Sequence, residues 1–207
     1  AVERLIRDDV RAMSAYHVPP SAGLLKLDAM ENPYGLPPAL ADRLGQVLAR
    51  VALNRYPVPS YDALKAALAG AFGVPAGAGL ILGNGSDELI TLLCVATARP
   101  QAVVMAPWPS FVMYDLSARL AGSRFVPVPL APDFGLDLPA MLAAIERERP
   151  AVIFLAYPNN PTGNCFDEAA MARIVRAAPG LVVIDEAYQP FALDTWLPRI
   201  AEFPNLL

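Results

Sequence analysis

Asp185 stands where a carboxylate needs a chemical reason. It follows Leu181-Val182-Val183-Ile184, which read as a buried strand, and it opens the cluster Asp185-Glu186-Ala187-Tyr188. A charge at such a position is costly without a partner. A cationic ring nitrogen would supply one, and the carboxylate would keep that nitrogen protonated. A turn that the side chain caps, or a metal ion, would supply one too. A second polar cluster, Tyr157-Pro158-Asn159-Asn160-Pro161-Thr162-Gly163, follows the apolar run 151–156. Parallel strands ending in these clusters would bring both to the carboxyl edge of an open α/β sheet, where ligands bind.

Gly83-Asn84-Gly85-Ser86-Asp87-Glu88 offers different chemistry. Glycines let the backbone approach an anion, and the unpaired amides and positive dipole end of a following helix favour phosphate. Glu88 stands where a dinucleotide fingerprint needs glycine, and no Gly-Lys-Ser or Gly-Lys-Thr occurs here, so both nucleotide motifs are absent. The competing reading is an ordinary helix start capped by Ser86. Pro107-Trp108-Pro109-Ser110-Phe111-Val112-Met113-Tyr114 puts Phe111 in the first turn of the next helix. There it would either cover a flat ring by offset stacking or fill the core.

The elements that must position these groups alternate between strand and helix. The pattern predicts strands at 80–82, 102–106, 124–128, 151–156 and 181–184. Between them it predicts helices at 86–98, 110–121, 137–147 and 167–178, with Gly122 as a stop and Asp167 as an N-cap. Such alternation specifies an α/β fold, a mostly parallel sheet flanked by helices with right-handed crossovers. Upstream, residues 2–13 predict an arm helix broken by Pro19, Pro20 and Gly23, residues 24–27 a short strand, and Asn32-Pro33-Tyr34-Gly35 a turn. Residues 37–53 predict a helix with proline at its start. Arg55-Tyr56-Pro57-Val58-Pro59 is a stiff connector, and a helix capped by Ser60 runs to Gly73. The chain thus reads as an N-terminal arm, 1–36, and a large α/β domain, 37–207.

Composition narrows the function classes. With 55% apolar residues in a chain of 207, a large core is available, and no apolar run approaches the ~18 residues of a membrane span. A net charge of -4 disfavours nucleic acid. Cys94 and Cys165 make neither disulfide nor metal-ligand spacing, and no basic and apolar signal segment opens the chain; both point to a reduced, cytoplasmic setting. No metal site is expected, and the single histidine, His17, suits a surface or capping role. Of 16 basic residues only Lys26 and Lys65 are lysines, which leaves few candidates for covalent amine chemistry.

Taken in order, the glycine-rich turn, the aromatic at Phe111, Asn-Asn-Pro-Thr-Gly and Asp-Glu-Ala-Tyr resemble the fold-type-I pyridoxal-phosphate aminotransferases. Glu31-Asn32-Pro33-Tyr34-Gly35, Arg55-Tyr56-Pro57 and Pro109-Ser110-Phe111-Val112-Met113-Tyr114 are similar, more narrowly, to the histidinol-phosphate aminotransferases, and the likeness covers nearly the whole chain. The resemblance implies pyridoxal 5'-phosphate as cofactor. Gly85, Ser86 and Asp87 would hold its phosphate, Phe111 would stack on its ring, Asn160 and Tyr188 would bond the ring hydroxyl oxygen, and Asp185 would pair with the ring nitrogen. Tyr56 would reach the cofactor phosphate of a neighbouring subunit in a homodimer, and Tyr34 and Asn32 would line the substrate side.

In the family the Schiff-base lysine stands in a Ser-Lys motif just past a strand that begins much like Pro204-Asn205-Leu206-Leu207. Neither Lys26 nor Lys65 matches that place, so the resemblance puts the lysine beyond Leu207. Residues 1–207 alone are expected to be inactive, while the complete enzyme would pass an amino group from glutamate to imidazole-acetol phosphate. Two other readings share the cradle: a related decarboxylase of a phosphorylated amino acid, and a lysine-less binding module.

Overall fold

Four runs of apolar residues form the strands at the centre of the fold: β1 Val103–Trp108, β2 Arg124–Pro129, β3 Val152–Ala156 and β4 Leu181–Asp185. β3 is buried along its whole length, which explains why its sequence lacks polar alternation. The strands are all parallel, in the order β2-β1-β3-β4. Residues 205–207 continue the sheet past β4: Leu206 bridges Val182, and the Ile184 amide donates to the Leu207 carbonyl at 2.9 Å. Gly180 lets β4 start close against β3, since a Cβ there would lie 2.2 Å from the Ala151 carbonyl oxygen.

The helices are α1 Asp8–Arg11, α2 Pro38–Leu48, α3 Asp62–Phe72, α4 Ser86–Thr97, α5 Met113–Leu120, α6 Leu138–Glu148 and α7 Glu168–Ala177. The computed structural model describes residues 2–14, 20, 22–26, 32–57 and 60–207. His17, Leu27 and Glu31 lie outside the described residues. The chain divides into two compact units, Ala1–Ser14 with Ala69–Leu207, and Ala15–Leu68. No helix among the described residues is long and apolar enough to cross a membrane.

Alternating side chains of the strands build a core on each face of the sheet. Val104, Ala106, Val152 and Phe154 pack with Ile90 and Cys94 of α4 and with Tyr114 and Ala118 of α5. Met105, Ile153 and Leu155 pack on the other face with Met141 and Ile145 of α6 and with Met171 and Ile174 of α7. The result is a three-layer α/β/α arrangement. Asp137 and Asp167 fix the starts of α6 and α7, their carboxylates accepting from the amides of Ala140 at 2.9 Å and Ala170 at 2.8 Å. The chain leaves β1 through α5 to β2 on one side, then returns through α6 to β3 on the other. The connections therefore reverse between β1 and β3, a topological switch point at which open α/β sheets bind ligands.

Several local expectations change. Residues 80–82 belong to no strand, and Ile81 is largely exposed; apolar composition alone does not make a strand without a neighbour to pair with. Leu24–Lys26 is likewise irregular. The predicted arm helix is two pieces, a 3-10 turn Val2–Leu5 and α1, because Arg7 adopts an extended backbone. Its guanidinium is drawn to the end of α5, donating to the carbonyls of Arg119 at 2.6 Å and Leu120 at 3.1 Å. A cation at a helix C-terminus is favourable, and this tertiary contact overrides the helical periodicity. α5 begins at Met113 rather than Ser110, whose hydroxyl is engaged across the sheet. α2 ends at Leu48, five residues short of the predicted boundary.

Candidate functional site

Five of the residues singled out by sequence meet in one pocket at the carboxyl edge of the sheet: Ser86, Phe111, Asn160, Asp185 and Tyr188. It encloses about 140 Å³. They arrive from four different connections. Ser86 opens α4, Phe111 precedes α5, Asn160 lies in the loop after β3, Asp185 ends β4, and Tyr188 follows in the next turn. The switch-point topology is what converts residues a hundred positions apart in sequence into neighbours.

At the start of α4 the N-cap residue is Gly85, with φ 82°, and no side chain caps the helix. The competing reading, in which Ser86 caps the helix, is therefore not met; Ser86 is the first helical residue instead. A left-handed φ of this kind favours glycine, which accounts for Gly85. Glu88 turns back to accept from the Asn84 amide, stiffening the entry to the helix. The first turn presents backbone donors and the positive end of the dipole at the pocket wall. Gly85 and Asp87 flank Ser86 without lining the pocket.

Asp185 is half-buried, and each carboxylate oxygen has one donor. Oδ1 accepts from the Ala187 amide at 3.1 Å, and Oδ2 accepts from the Tyr114 hydroxyl at 2.7 Å. The turn-capping reading is thus realised by one oxygen only. An ionised carboxylate has about four acceptor sites, so two remain for another donor. Among the described residues no group of three or more His, Cys, Asp or Glu is arranged to hold a metal ion. The Asn160 amide and Tyr188 hydroxyl stand 3.5 Å apart, too far to satisfy one another well, and both keep donor capacity towards the pocket.

Phe111 is held edge-on by Tyr114, with ring centroids 5.7 Å apart at 88°. The Tyr114 ring in turn lies flat on Phe154 of β3, at 4.6 Å and 3°. Burial pushes the Tyr114 phenol well above the usual tyrosine range, and the charge and hydrogen bond of Asp185 push it further. Tyr114 therefore remains a donor to Asp185 in any neutral or mildly alkaline solution.

Beneath the pocket, Ser110 and Asn159 tie β1 to β3. Neither was singled out from sequence, nor was Tyr114 given a role. Tyr114 lies three positions after Phe111, the spacing of one face in the helix predicted at 110–121, which is the one signal that marked it. Asn159 is masked by Asn160: two adjacent amides look alike in sequence, but one points into the core and the other into the pocket.

Tyr34, Tyr56 and Asn32 belong to the Ala15–Leu68 unit. Tyr34 is 83% exposed and Tyr56 fully exposed; the Asn32 side chain accepts from the Tyr34 amide at 3.0 Å, which closes the predicted turn.

The chain matches the family described as Aminotransferase class I and II over residues 22–206. It is 63% identical over 211 residues to histidinol-phosphate aminotransferase 2 of Cupriavidus pinatubonensis, covering 100% of this chain and 58% of that protein. It is 62% identical over 209 residues to histidinol-phosphate aminotransferase 1 of Ralstonia nicotianae, covering 99% and 56%. A solved histidinol-phosphate aminotransferase of Sinorhizobium meliloti, in complex with pyridoxal-5'-phosphate, superposes with a TM-score of 0.79 at 27% identity, covering 97% of this chain and 56% of that one. The chain thus spans little more than half the length of these relatives.

Proposed function

The chain belongs to the aminotransferase class I and II family, and from that membership we propose that the complete protein is a pyridoxal-phosphate-dependent histidinol-phosphate aminotransferase. It takes an amino group from glutamate and delivers it to imidazole-acetol phosphate, in the biosynthesis of histidine. The observation that carries this reading is the convergence of Ser86, Phe111, Asn160, Asp185 and Tyr188 on one pocket. The names of relatives at 63% and 62% identity favour it over the decarboxylase and the binding module.

The donor set fits the cofactor group by group. Its phosphate suits the uncapped start of α4 at Gly85, Ser86 and Asp87. Its ring oxygen suits the weakly bonded pair Asn160 and Tyr188. Its ring nitrogen suits the two open acceptor sites of Asp185, and the Phe111 face suits the ring itself. When bound, pyridoxal phosphate supplies an electron sink for charge developing at the substrate α carbon. Asp185 holds a proton on the ring nitrogen, which keeps that sink effective. Phe111 covers the ring and excludes water from one face. Asn160 and Tyr188 orient the ring by donating to its oxygen, and the α4 amides fix the phosphate end.

In this reading residues 1–36 are the N-terminal arm and 37–207 belong to the cofactor domain. The enzyme is a cytoplasmic homodimer, with Tyr56 reaching the phosphate site of the neighbouring subunit and Tyr34 and Asn32 on the substrate side. The amine that bonds the cofactor and shuttles the proton is a lysine following Leu207. The test is a coupled assay on the complete protein with pyridoxal phosphate, glutamate and imidazole-acetol phosphate. Formation of 2-oxoglutarate that depends on the acceptor is expected. Release of carbon dioxide without any need for a 2-oxo acid would overturn the reading.

A further inference from the structure

Tyr114 is wholly buried, yet its hydroxyl is committed to the one carboxylate of the pocket. The flat stack on Phe154 and the edge contact with Phe111 fix the ring on two sides. They leave the hydroxyl pointing at Asp185, where it donates to Oδ2 at 2.7 Å. The Ala187 amide holds the other oxygen at 3.1 Å. With one donor on each oxygen, the plane of the carboxylate is set before anything enters the pocket, and its remaining acceptor sites keep a fixed direction. The same phenol ring braces Phe111, so a single side chain spans from the group that would cover a bound ring to the group that would meet its nitrogen.

We propose that Tyr114 is a positioning residue: its hydroxyl aims the Asp185 carboxylate at the pyridoxal-phosphate ring nitrogen while its ring, packed at right angles to Phe111, holds Phe111 over the same ring. This rests on the reading of the pocket as a pyridoxal-phosphate site. Tyr114 stands in the pocket wall with no exposed surface of its own, and it acts through Asp185 and Phe111. A pure packing role is the alternative, and the two differ in one respect. Packing depends on the ring, whereas positioning depends on the hydroxyl and therefore on Asp185 being there to receive it.

A double-mutant cycle in the complete protein separates them. Tyr114→Phe keeps the ring volume, and Asp185 stands half-exposed at a strand end, so Asp185→Ala leaves the core intact. The affinity of each apoprotein for pyridoxal phosphate is read from quenching of protein fluorescence. Loss of a hydrogen bond to a charged group should weaken binding about tenfold in the wild-type background. In the Asp185→Ala background the same change should cost no more than about twofold, the usual limit of additivity for uncoupled sites. Thermal unfolding of the cofactor-free variants gives a second reading. Tyr114→Phe should lower the midpoint when Asp185 is present and raise it in Asp185→Ala, where the buried hydroxyl has lost its acceptor. Equal losses of affinity in both backgrounds, or a shift of the same sign in both melts, would overturn the proposal. So would wild-type affinity in the single variant. A wild-type protein that binds no pyridoxal phosphate would overturn the reading of the pocket and this inference with it, an outcome distinct from the others.

Discussion

The Ser110 hydroxyl donates to the side-chain oxygen of Asn159 at 3.0 Å, and both residues are buried at the point where the sheet's connections reverse. The bond joins the ends of β1 and β3. The Asn159 amide nitrogen completes it by donating to the Pro109 carbonyl at 3.1 Å and to Thr162 Oγ1 at 2.7 Å. The backbone of Asn159 is held as well, donating to the Asn164 carbonyl at 2.9 Å and accepting from Gly163 at 2.7 Å. A crevice between two parallel strands would expose unpaired backbone at its floor. Here one side chain closes the floor and fixes the loop on which Asn160 is carried.

Asn159→Ala should therefore destabilise the complete protein by about 2–4 kcal/mol, since it strands several buried groups and leaves a small void. Cofactor affinity should fall too, because the Asn160 loop loses its anchor. Urea denaturation and cofactor titration give the two numbers. A change below about 0.5 kcal/mol, the scale of ordinary surface substitutions, would show that the loop is held by its backbone alone.

Asp185→Asn should leave the fold in place, because the amide oxygen can still accept from Ala187 while the amide NH2 donates to the Tyr114 hydroxyl, which can turn to accept. Transamination by the complete protein should slow by on the order of a hundredfold or more, the scale seen when an electrostatic partner of developing charge is removed. A neutral amide cannot keep a ring nitrogen protonated. Single-turnover absorbance with glutamate measures the step directly, and an unchanged rate would remove Asp185 from the mechanism.

Stability should decline on the alkaline side. Burial raises the Cys94 thiol from 9.0 to about 11 and the Tyr157 phenol from 10.0 to about 12, and it raises Tyr114 well above the tyrosine range. These groups are neutral when protonated, so above their ordinary values the unfolded chain releases protons that the native chain retains. Their contribution is complete below pH 9 and is lost as pH climbs to 12, at no more than ~1.4 kcal/mol per pH unit for each group. Urea midpoints across that window should fall steadily, and Tyr157→Phe should flatten the fall above pH 10. A flat profile in the wild type would mean that these side chains are solvated.

Much of this arrangement is legible in the sequence because its signals are local. The uninterrupted apolar runs at 152–156 and 181–184 announce buried parallel strands, and Asp167 announces the start of α7. Polar residues just past each strand then mark the carboxyl edge, which is why five of the pocket residues could be picked out. What escaped depends on partners distant in sequence. The break at Arg7 is dictated by the end of α5, more than a hundred residues away. Residues 80–82 have a strand's composition but no described strand beside them. Tyr114, Ser110 and Asn159 look like ordinary core and turn residues until β1, β3 and β4 are laid side by side.

The remaining prediction concerns the amine. Borohydride reduction of the complete protein with pyridoxal phosphate, followed by peptide mass analysis, should label neither Lys26 nor Lys65. Covalent chemistry with a cofactor carbonyl needs an unprotonated amine held at the pocket. The described lining provides a carboxylate, an amide, hydroxyls and three aromatic rings. Lys65 is carried on α3, and Lys26 lies in an irregular segment of the same Ala15–Leu68 unit, in neither case within a Ser-Lys motif. The relatives extend well beyond the length matched here, which leaves room for a lysine after Leu207 to approach the pocket from the growing edge of the sheet beside β4. Label on a single lysine past Leu207 is the expected result. Label on Lys26 or Lys65, accompanied by turnover of glutamate, would mean that the reactive amine comes from the N-terminal portion, and the assignment of roles around Asp185 would have to be rebuilt from there.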